Sequence, residues 1–519
     1  MEVRALSSEA SLHGNRLTRD DIAVASISAT VAYLYYLLLS AKTWTWVLAG
    51  GNSGDWLQFL HWWAVPQPLG SPLFAGYIRL LGWIRDSFAL GIGDIPLVTV
   101  FVSVIPGAIA VGLTYLIGKK WTGRTDLGIV AATVCMGASF MLQSTIIEQF
   151  GMVAMFSAAS FLAYLHDRWG WTALLLGLGL ATHSSFAPLA IVWLLVEHKQ
   201  WRRLVKVIPL YAVFGILPYA LTLWEMTLET PKMISGYLSW QTLSSYLGGL
   251  GGVGAAGSMA ATEAPQKALE VGAMLVAAFG LAWIPLAVAA RKGWQERNQP
   301  VILAVATLVM CLWLWFTHLL PDGQLWMPMA VPIASGLVVV GLSRMEGWHK
   351  YVVTAGACAL ILANSIWLNA DRLTRQDPEA ETLYQTLQGL PDNAVVVTPR
   401  GGSYGFAVMY VMSTGKRLIP VIADEVELID RGIIDGPPGR DGKPRKMVQD
   451  QGYLDSVEWL KKHHPEIVGE GNRTTDIVTT ALARGHKIYI VGQIPESPWR
   501  QVFHMVGTSG VEEIGWLYE

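Results

Sequence analysis

The sequence predicts a polytopic α-helical membrane protein with a small α/β domain at its C-terminal end. Three observations predict this fold class: an apolar composition, a series of apolar runs, and a change of pattern near residue 371. The 519 residues are 52% hydrophobic and 15% charged, with a mean hydropathy of +0.39, whereas soluble domains carry about 25% charged residues. This composition places most of the chain in a membrane.

About eleven apolar runs are typical of membrane helices, since a helix crosses the bilayer in about 20 residues. The runs lie at residues 22–40, 95–117, 127–142, 150–165, 171–183, 186–197, 205–226, 269–290, 300–320, 329–343 and 351–369. Several are short, and 171–197 also fits one kinked helix. A polar tail of about twenty residues precedes the first run, and no small-residue cleavage site follows it, so we expect an uncleaved first span.

Lys and Arg gather in one of the two alternating sets of loops between these runs. Lys119, Lys120 and Arg124 follow the second run, and 199–206 is also rich in basic residues. Basic loops are retained on the cytoplasmic side, so the N-terminus is predicted to be cytoplasmic. The segments predicted to lie outside are 41–94, 143–149, 227–268, 321–328 and, for an odd number of spans, the C-terminal 371–519.

Charge and cysteine content narrow the classes of function. The net charge of -2 and the pI near 6.6 argue against a nucleic-acid-binding surface, because phosphate backbones are met by clustered basic residues. Cys135, Cys311 and Cys358 lie inside apolar runs without metal-ligand spacing, so we interpret them as buried or lipid-facing residues. No metal site is predicted.

Unusual residues collect in the outer segments. Asp55 lies in an aromatic stretch, 54–63, shortly after the first run. Residues 73–84 form an apolar stretch that is too short to span a membrane and is interrupted by Arg79, which indicates a helix lying in the interface. The Gly-, Ala- and Ser-rich stretch 248–261 is typical of a mobile segment, and we expect the loop 227–268 to act as a lid over a site.

The C-terminal part, 371–519, is predicted to be a separate domain from the membrane part, 1–370. Short β-rich runs alternate there with helical patterns, which favours an α/β domain. The expected strands are 394–398, 417–422 and 487–491, and the expected helices are 406–412, 454–463 and 476–483.

Three segments of the membrane part resemble, in the same order, three motifs of one known superfamily. Residues 52–55 (Asn-Ser-Gly-Asp) and 67–73 (Gln-Pro-Leu-Gly-Ser-Pro-Leu) fall on two parts of the first motif, 142–148 approximates a second that ends in Glu, and 179–183 (Gly-Leu-Ala-Thr-His) matches a third. In this order over about residues 22–260, the chain resembles the GT-C superfamily of membrane glycosyltransferases. Within it, the chain is most similar to the branch related to protein O-mannosyltransferases.

The resemblance implies an inverting transfer of a sugar, such as the hexose mannose, from a polyprenyl-phosphate donor. The acceptor would be a hydroxyl of a protein, lipid or glycan at the outer face of the membrane. Asp55 is the implied catalytic base, because the acceptor must lose a proton as its oxygen attacks. Arg79 and His183 are implied to stabilise the leaving phosphate, while Glu148 and Gln143 are implied to bind substrate. A need for a divalent metal stays open.

Each assignment has a structural alternative. Asp55 could cap a helix, Glu148 could be solvated by headgroups, His183 could join two helices by a hydrogen bond, and Arg79 could snorkel to the interface. The tryptophans of 56–63 are more typical of an interfacial belt than of a sugar platform.

Two other functions stay open. Asn52 stands where the family pattern has an acid, Asp55 is shorter than the usual Glu, and Gln67 replaces a usual His. These departures leave open a second hypothesis, a catalytically silent relative that serves as a membrane scaffold. A transporter is the third hypothesis, although transporters normally show repeated halves or acids at mid-membrane.

Overall fold

The computed structural model describes most of the membrane part and much of the C-terminal domain. The described residues are 17–40, 53–61, 71–220, 268–317 apart from 270, 274 and 277, 327–374, 378–398, 402–423, 427, 430, 451–469, 471, 473–491, 504–506 and 511–515. Residues 227–267 of the expected lid, 227–268, lie outside them.

Helices occupy the predicted apolar runs, so the prediction of a polytopic helical fold is confirmed. They are α1 (Arg19–Leu39), α2 (Ser53–Gln58), α3 (Pro72–Ser87), α4 (Asp94–Thr122), α5 (Thr125–Gly137), α6 (Phe150–Leu165), α7 (Trp169–Thr182), α8 (Phe186–Val196), α9 (His198–Ala220), α10 (Trp283–Gln295), α11 (Gln299–Thr317), α12 (Met327–Ser343) and α13 (His349–Thr374).

Within the described residues, five helices are long and apolar enough to cross a membrane, namely α1, α4, α9 and most of α11 and α13. A sixth span results if α5 and the following 3-10 helix Ser139–Thr145, which meet at 68°, count as one. Shorter apolar helices fill other predicted spans. The run 171–197 is two helices rather than one kinked helix, because the backbone at His183 is extended (φ -157°, ψ 136°).

Proline explains an irregularity in each of two long helices. In α4 a π-helical segment, Thr99–Val104, ends just before the turn that contains Pro106. In α9 a second π-helical segment, Ala212–Ile216, follows Pro209. Proline lacks the N–H that an α-helix needs and its ring crowds the carbonyl four residues earlier, so the local hydrogen bonds change register around it.

The C-terminal α/β domain is confirmed, and each predicted strand and helix is present. It contains α14 (Pro378–Gly389), β1 (Ala394–Thr398), α15 (Gly402–Ser413), β2 (Leu418–Ile422), α16 (Gln451–His463), α17 (Thr474–Ala483), β3 (Ile488–Val491), β4 (His504–Val506) and β5 (Val511–Gly515). The sheet order is β2-β1-β3-β5-β4. The first three strands are parallel, and β5 runs antiparallel to β3 and to β4.

The two faces of this sheet pack into different hydrophobic cores. Val396 of β1 joins the core that the domain shares with the membrane helices, through α14 and α15. Val395 and Val397 point the other way, into a core closed by α16 and α17. Successive residues of a strand face opposite sides, so a strand buried on both faces reads as the continuous apolar run that the sequence shows. The domain therefore rests on the helical bundle through one face of its sheet.

Candidate functional site

Asp55 lies inside the short helix α2, as its third residue. A capping residue lies just before a helix, whereas Asp55 lies two residues inside it, so the structure does not favour the capping role for Asp55. Its side chain lies outside the described part of the chain, as do Asn52 and Gln67. The residues after it, Trp56 to Leu60, are all buried, so the helix that carries the acid is embedded in protein.

Trp56 departs from the expectation of an interfacial belt. Its side chain is only 2% exposed, and its ring meets that of Phe74 in α3 edge-on with centroids 4.8 Å apart. Such pairs stabilise packing beyond the apolar area that they bury. Trp56 therefore joins α2 to α3 inside the protein. Trp62 and Trp63 lie outside the described residues.

The stretch expected to form an interfacial helix is helical, over the longer range Pro72–Ser87. Its position in the membrane interface stays a prediction. Arg79 is half-buried and donates a hydrogen bond from Nη1 to the carbonyl oxygen of Leu60 at 2.8 Å. Three residues further on, a Cβ added to Gly82 would lie 2.2 Å from the same oxygen. The structure thus places Arg79 against the end of α2, where one of its N–H groups fixes the acid-bearing segment.

A buried polar cluster lies beside the start of α6. Ser103 of α4 accepts a hydrogen bond from the N–H of Glu148 at 3.3 Å and donates one to its carbonyl oxygen at 2.9 Å. The side chain of Ser71, just before α3, donates to the amide oxygen of Gln149. These bonds fix the backbone of Glu148, which is 1% exposed, and connect it to the helix that holds Arg79.

Gln143 lies five residues before Glu148 in the chain. It lies in the 3-10 helix Ser139–Thr145 and is 8% exposed. Its side-chain oxygen is buried and has no hydrogen-bond partner among the described residues. A buried acceptor without a partner is costly and is retained mainly where a ligand or water satisfies it. The binding role of Gln143 stays a prediction.

His183 lies at the C-cap of α7. The predicted helix 171–183 had placed it inside a helix, which is wrong. Its Nδ1 accepts a hydrogen bond from the N–H of Ser185 at 3.1 Å and lies 2.7 Å from the Ser185 hydroxyl. In the neutral imidazole the proton is therefore on Nε2. The ring lies 5.5 Å from that of Phe150, the first residue of α6, so His183 packs beside the start of that helix.

An apolar cavity of about 450 Å³ opens along the other side of α3, within the range of about 300–1,000 Å³ that is typical of ligand sites. It lies between α3, α7 and α9. The lining residues are Pro72, Leu73, Gly76, Tyr77, Leu80, Leu178, Ala181, Val213, Phe214 and Pro218. Its wall on α7 includes Ala181, two residues before His183 in the chain.

A second polar cluster is centred on Asp94, and the sequence did not predict it. Its carboxylate meets His61 Nε2 at 2.7 Å, the Tyr410 hydroxyl at 2.6 Å and the guanidinium of Arg85. His61 and Tyr410 lie 33 and 316 positions from Asp94, so the cluster forms no local motif. Within the described residues, no group of three or more His, Cys, Asp or Glu side chains could hold a metal ion.

The sequence matches no protein-family profile and no curated protein. The structure, in contrast, resembles that of ArnT from Cupriavidus metallidurans in the apo state, with a TM-score of 0.60 over 95% of this chain and 97% of ArnT at 11% identity. The chain has the fold of ArnT. The structure of ArnT bound to undecaprenyl phosphate matches with a TM-score of 0.52 at 12% identity, over 96% of this chain and 98% of ArnT.

A third solved structure with this fold is the archaeal oligosaccharyltransferase AglB from Archaeoglobus fulgidus, in complex with an inhibitory peptide and a dolichol-phosphate. Its TM-score is 0.52 at 11% identity, and the match covers 91% of this chain and 70% of AglB. The GT-C type of fold expected from the sequence motifs is therefore found. The matches do not single out the O-mannosyltransferase-related branch.

Proposed function

We propose that this protein is a membrane glycosyltransferase that moves a sugar from a polyprenyl-phosphate donor to an acceptor hydroxyl at the outer face of the membrane. The observation that carries the proposal is the likeness to ArnT over nearly the whole of both chains. ArnT has been solved with undecaprenyl phosphate and AglB with a dolichol-phosphate. Both ligands are polyprenyl phosphates, which supports this class of donor.

The proposed base is Asp55. In the reaction, the acceptor oxygen forms a bond to the anomeric carbon of the sugar while the bond from that carbon to the phosphate oxygen breaks. The acceptor proton passes to the carboxylate, and the polyprenyl phosphate leaves with the bonding electrons. A positioned carboxylate contributes to such a step when it is held within hydrogen-bond reach of the proton that it takes. The embedded helix α2 supplies that rigidity.

The proposed phosphate partners are Arg79 and His183. A leaving phosphate gains charge, which donors in a site shielded from water stabilise. His183 lies at the end of α7 with its proton on Nε2 in the neutral form, and the guanidinium of Arg79 has N–H groups beyond the one that is hydrogen-bonded to Leu60. The apolar cavity beside α3 offers a place for the prenyl chain, while Glu148 and Gln143 lie among buried polar groups suited to binding the sugar or the acceptor.

The experiment that tests the proposal is sugar transfer by the purified protein in nanodiscs. A panel of polyprenyl-phosphate sugars, beginning with hexoses such as mannose, is offered with peptide, lipid and glycan acceptors, with and without Mg²⁺ or Mn²⁺. We expect release of polyprenyl phosphate and a sugar-bearing acceptor for at least one pair. If the donors bind but no donor–acceptor pair gives turnover, the result contradicts the proposal and favours the scaffold hypothesis.

The apolar cavity gives a separate prediction on lipid binding. Leu178→Trp places a large ring in the space that the prenyl chain would fill, so we expect the affinity for undecaprenyl phosphate to fall about tenfold, or about 1.4 kcal/mol. Microscale thermophoresis with the lipid in detergent measures this change.

The control for Leu178→Trp is Leu195→Trp. Leu195 is 68% exposed and lies outside the cavity, so the same substitution there should leave the affinity unchanged. Equal affinities for Leu178→Trp and the wild type would show that the prenyl chain binds elsewhere.

A further inference from the structure

Asp94 lies where three elements meet. It is the first residue of α4, and its side chain is 15% exposed. His61 follows the end of α2, Arg85 lies in the last turn of α3, and Tyr410 lies within α15 of the C-terminal domain. All three contact the Asp94 carboxylate. One carboxylate thus connects the acid-bearing segment, helix α3 and the C-terminal domain.

The hydrogen-bonding roles in this cluster are fixed by chemistry. An ionised carboxylate only accepts, so His61 donates from Nε2 and Tyr410 from its hydroxyl. Burial, together with the charge of Asp94, raises the pKa of Tyr410 well above its usual range. Burial alone would lower the pKa of Arg85, but the hydrogen bonds and charges of Asp86 and Asp94 raise it. Tyr410 therefore remains a donor, and Arg85 remains a cation.

Apolar packing surrounds the same junction. The ring of Tyr410 lies 6.0 Å from that of His61 and 5.6 Å from that of Tyr384 in α14. Helix α15 packs directly on α2, and buried residues of both helices, among them Trp56 and Val408, belong to one core. Because α2 has only six residues, it cannot hold its own conformation. Its position depends on what packs against it.

We propose that Tyr410 and Asp94 are positioning residues, through which the C-terminal domain holds α2 and with it the proposed base. Asp55 lies six residues before His61 on the same short segment. A shift of this segment moves the acid relative to the acceptor, and a misplacement of 1 Å can slow a reaction about a hundredfold. This inference rests on the proposed glycosyl transfer, in which Asp55 takes the acceptor proton.

The test compares Tyr410→Phe with a matched variant, Tyr115→Phe. Tyr115 also donates to a buried aspartate, Asp21, at 3.4 Å, but it lies towards the other end of α4. Hydrogen–deuterium exchange is followed in residues 53–61, and kcat and KM are measured for transfer. For Tyr410→Phe we expect faster exchange in 53–61 and a kcat lower by about tenfold to a hundredfold at unchanged donor KM. Tyr115→Phe should change neither.

A second pair of variants separates positioning from general damage. Gln carries an amide nitrogen near the place of His61 Nε2, so His61→Gln should restore most of the kcat that His61→Ala loses. Unchanged exchange or unchanged kcat in Tyr410→Phe, with an active wild type, would overturn the inference. An inactive wild type would instead refute the proposed function, and the positioning role would fall with it.

Discussion

Replacement of Asp55 by Asn is expected to abolish sugar transfer while the protein still folds. A general base contributes about 10²–10⁴-fold to a rate, and Asn cannot take the acceptor proton. The two side chains have nearly the same volume, so the packing around α2 should be preserved. Initial rates of transfer in nanodiscs, measured with saturating donor and acceptor, give the effect on kcat.

The control for this experiment is Asp20→Asn. Asp20 is exposed in the first turn of α1, so the same chemical change there should leave both rate and stability as they are. The temperature of thermal unfolding and the affinity for undecaprenyl phosphate show whether the Asp55→Asn protein remains folded and able to bind the donor lipid. A folded Asp55→Asn protein with wild-type kcat would exclude Asp55 as the base.

Much of the fold could be predicted because it follows from local patterns. Apolar runs of membrane length identify the helices, and apolar strands alternating with helices identify the α/β domain. The short strands β4 and β5 were not predicted, since 504–506 and 511–515 carry Glu512 and Glu513 and lack a run of β-branched residues. They are strands because β3 offers β5 an edge to pair with.

The candidate site could be predicted only in part, for a similar reason. The motif containing Glu148 and the one ending in His183 were found by resemblance, and the structure packs His183 against Phe150, two residues after Glu148. Asp94 and Tyr410 are separated by 316 positions, so no spacing rule connects them. A buried junction between an outer loop and a distant domain is a property of tertiary packing alone.

Arg79 shows how packing changes a prediction. Its place in an apolar stretch indicated a side chain that reaches lipid phosphates. In the structure the side chain donates a hydrogen bond to the carbonyl oxygen of Leu60. The two roles are compatible, because a guanidinium has five N–H donors. Its binding to phosphate stays a prediction, but its contact with the end of α2 is part of the fold.

Gly82→Ala is expected to destabilise the protein and to reduce transfer together. The added Cβ would lie 2.2 Å from the carbonyl oxygen of Leu60 and 2.9 Å from its Cα. These are backbone atoms, which cannot rotate away as a flexible side chain can. Overpacking of this kind costs about 1–3 kcal/mol. Thermal unfolding in detergent and transfer rates in nanodiscs measure the two effects.

Transfer should fall for a reason beyond stability. Leu60 is also the acceptor for Arg79, so pushing α2 and α3 apart lengthens the bond that holds the acid-bearing segment. Gly91→Ala is the matched control, because nothing lies within 4 Å of a Cβ added there. If Gly82→Ala unfolds at the wild-type temperature and keeps its rate, α2 and α3 do not meet as described, and the contact between Arg79 and Leu60 cannot position Asp55.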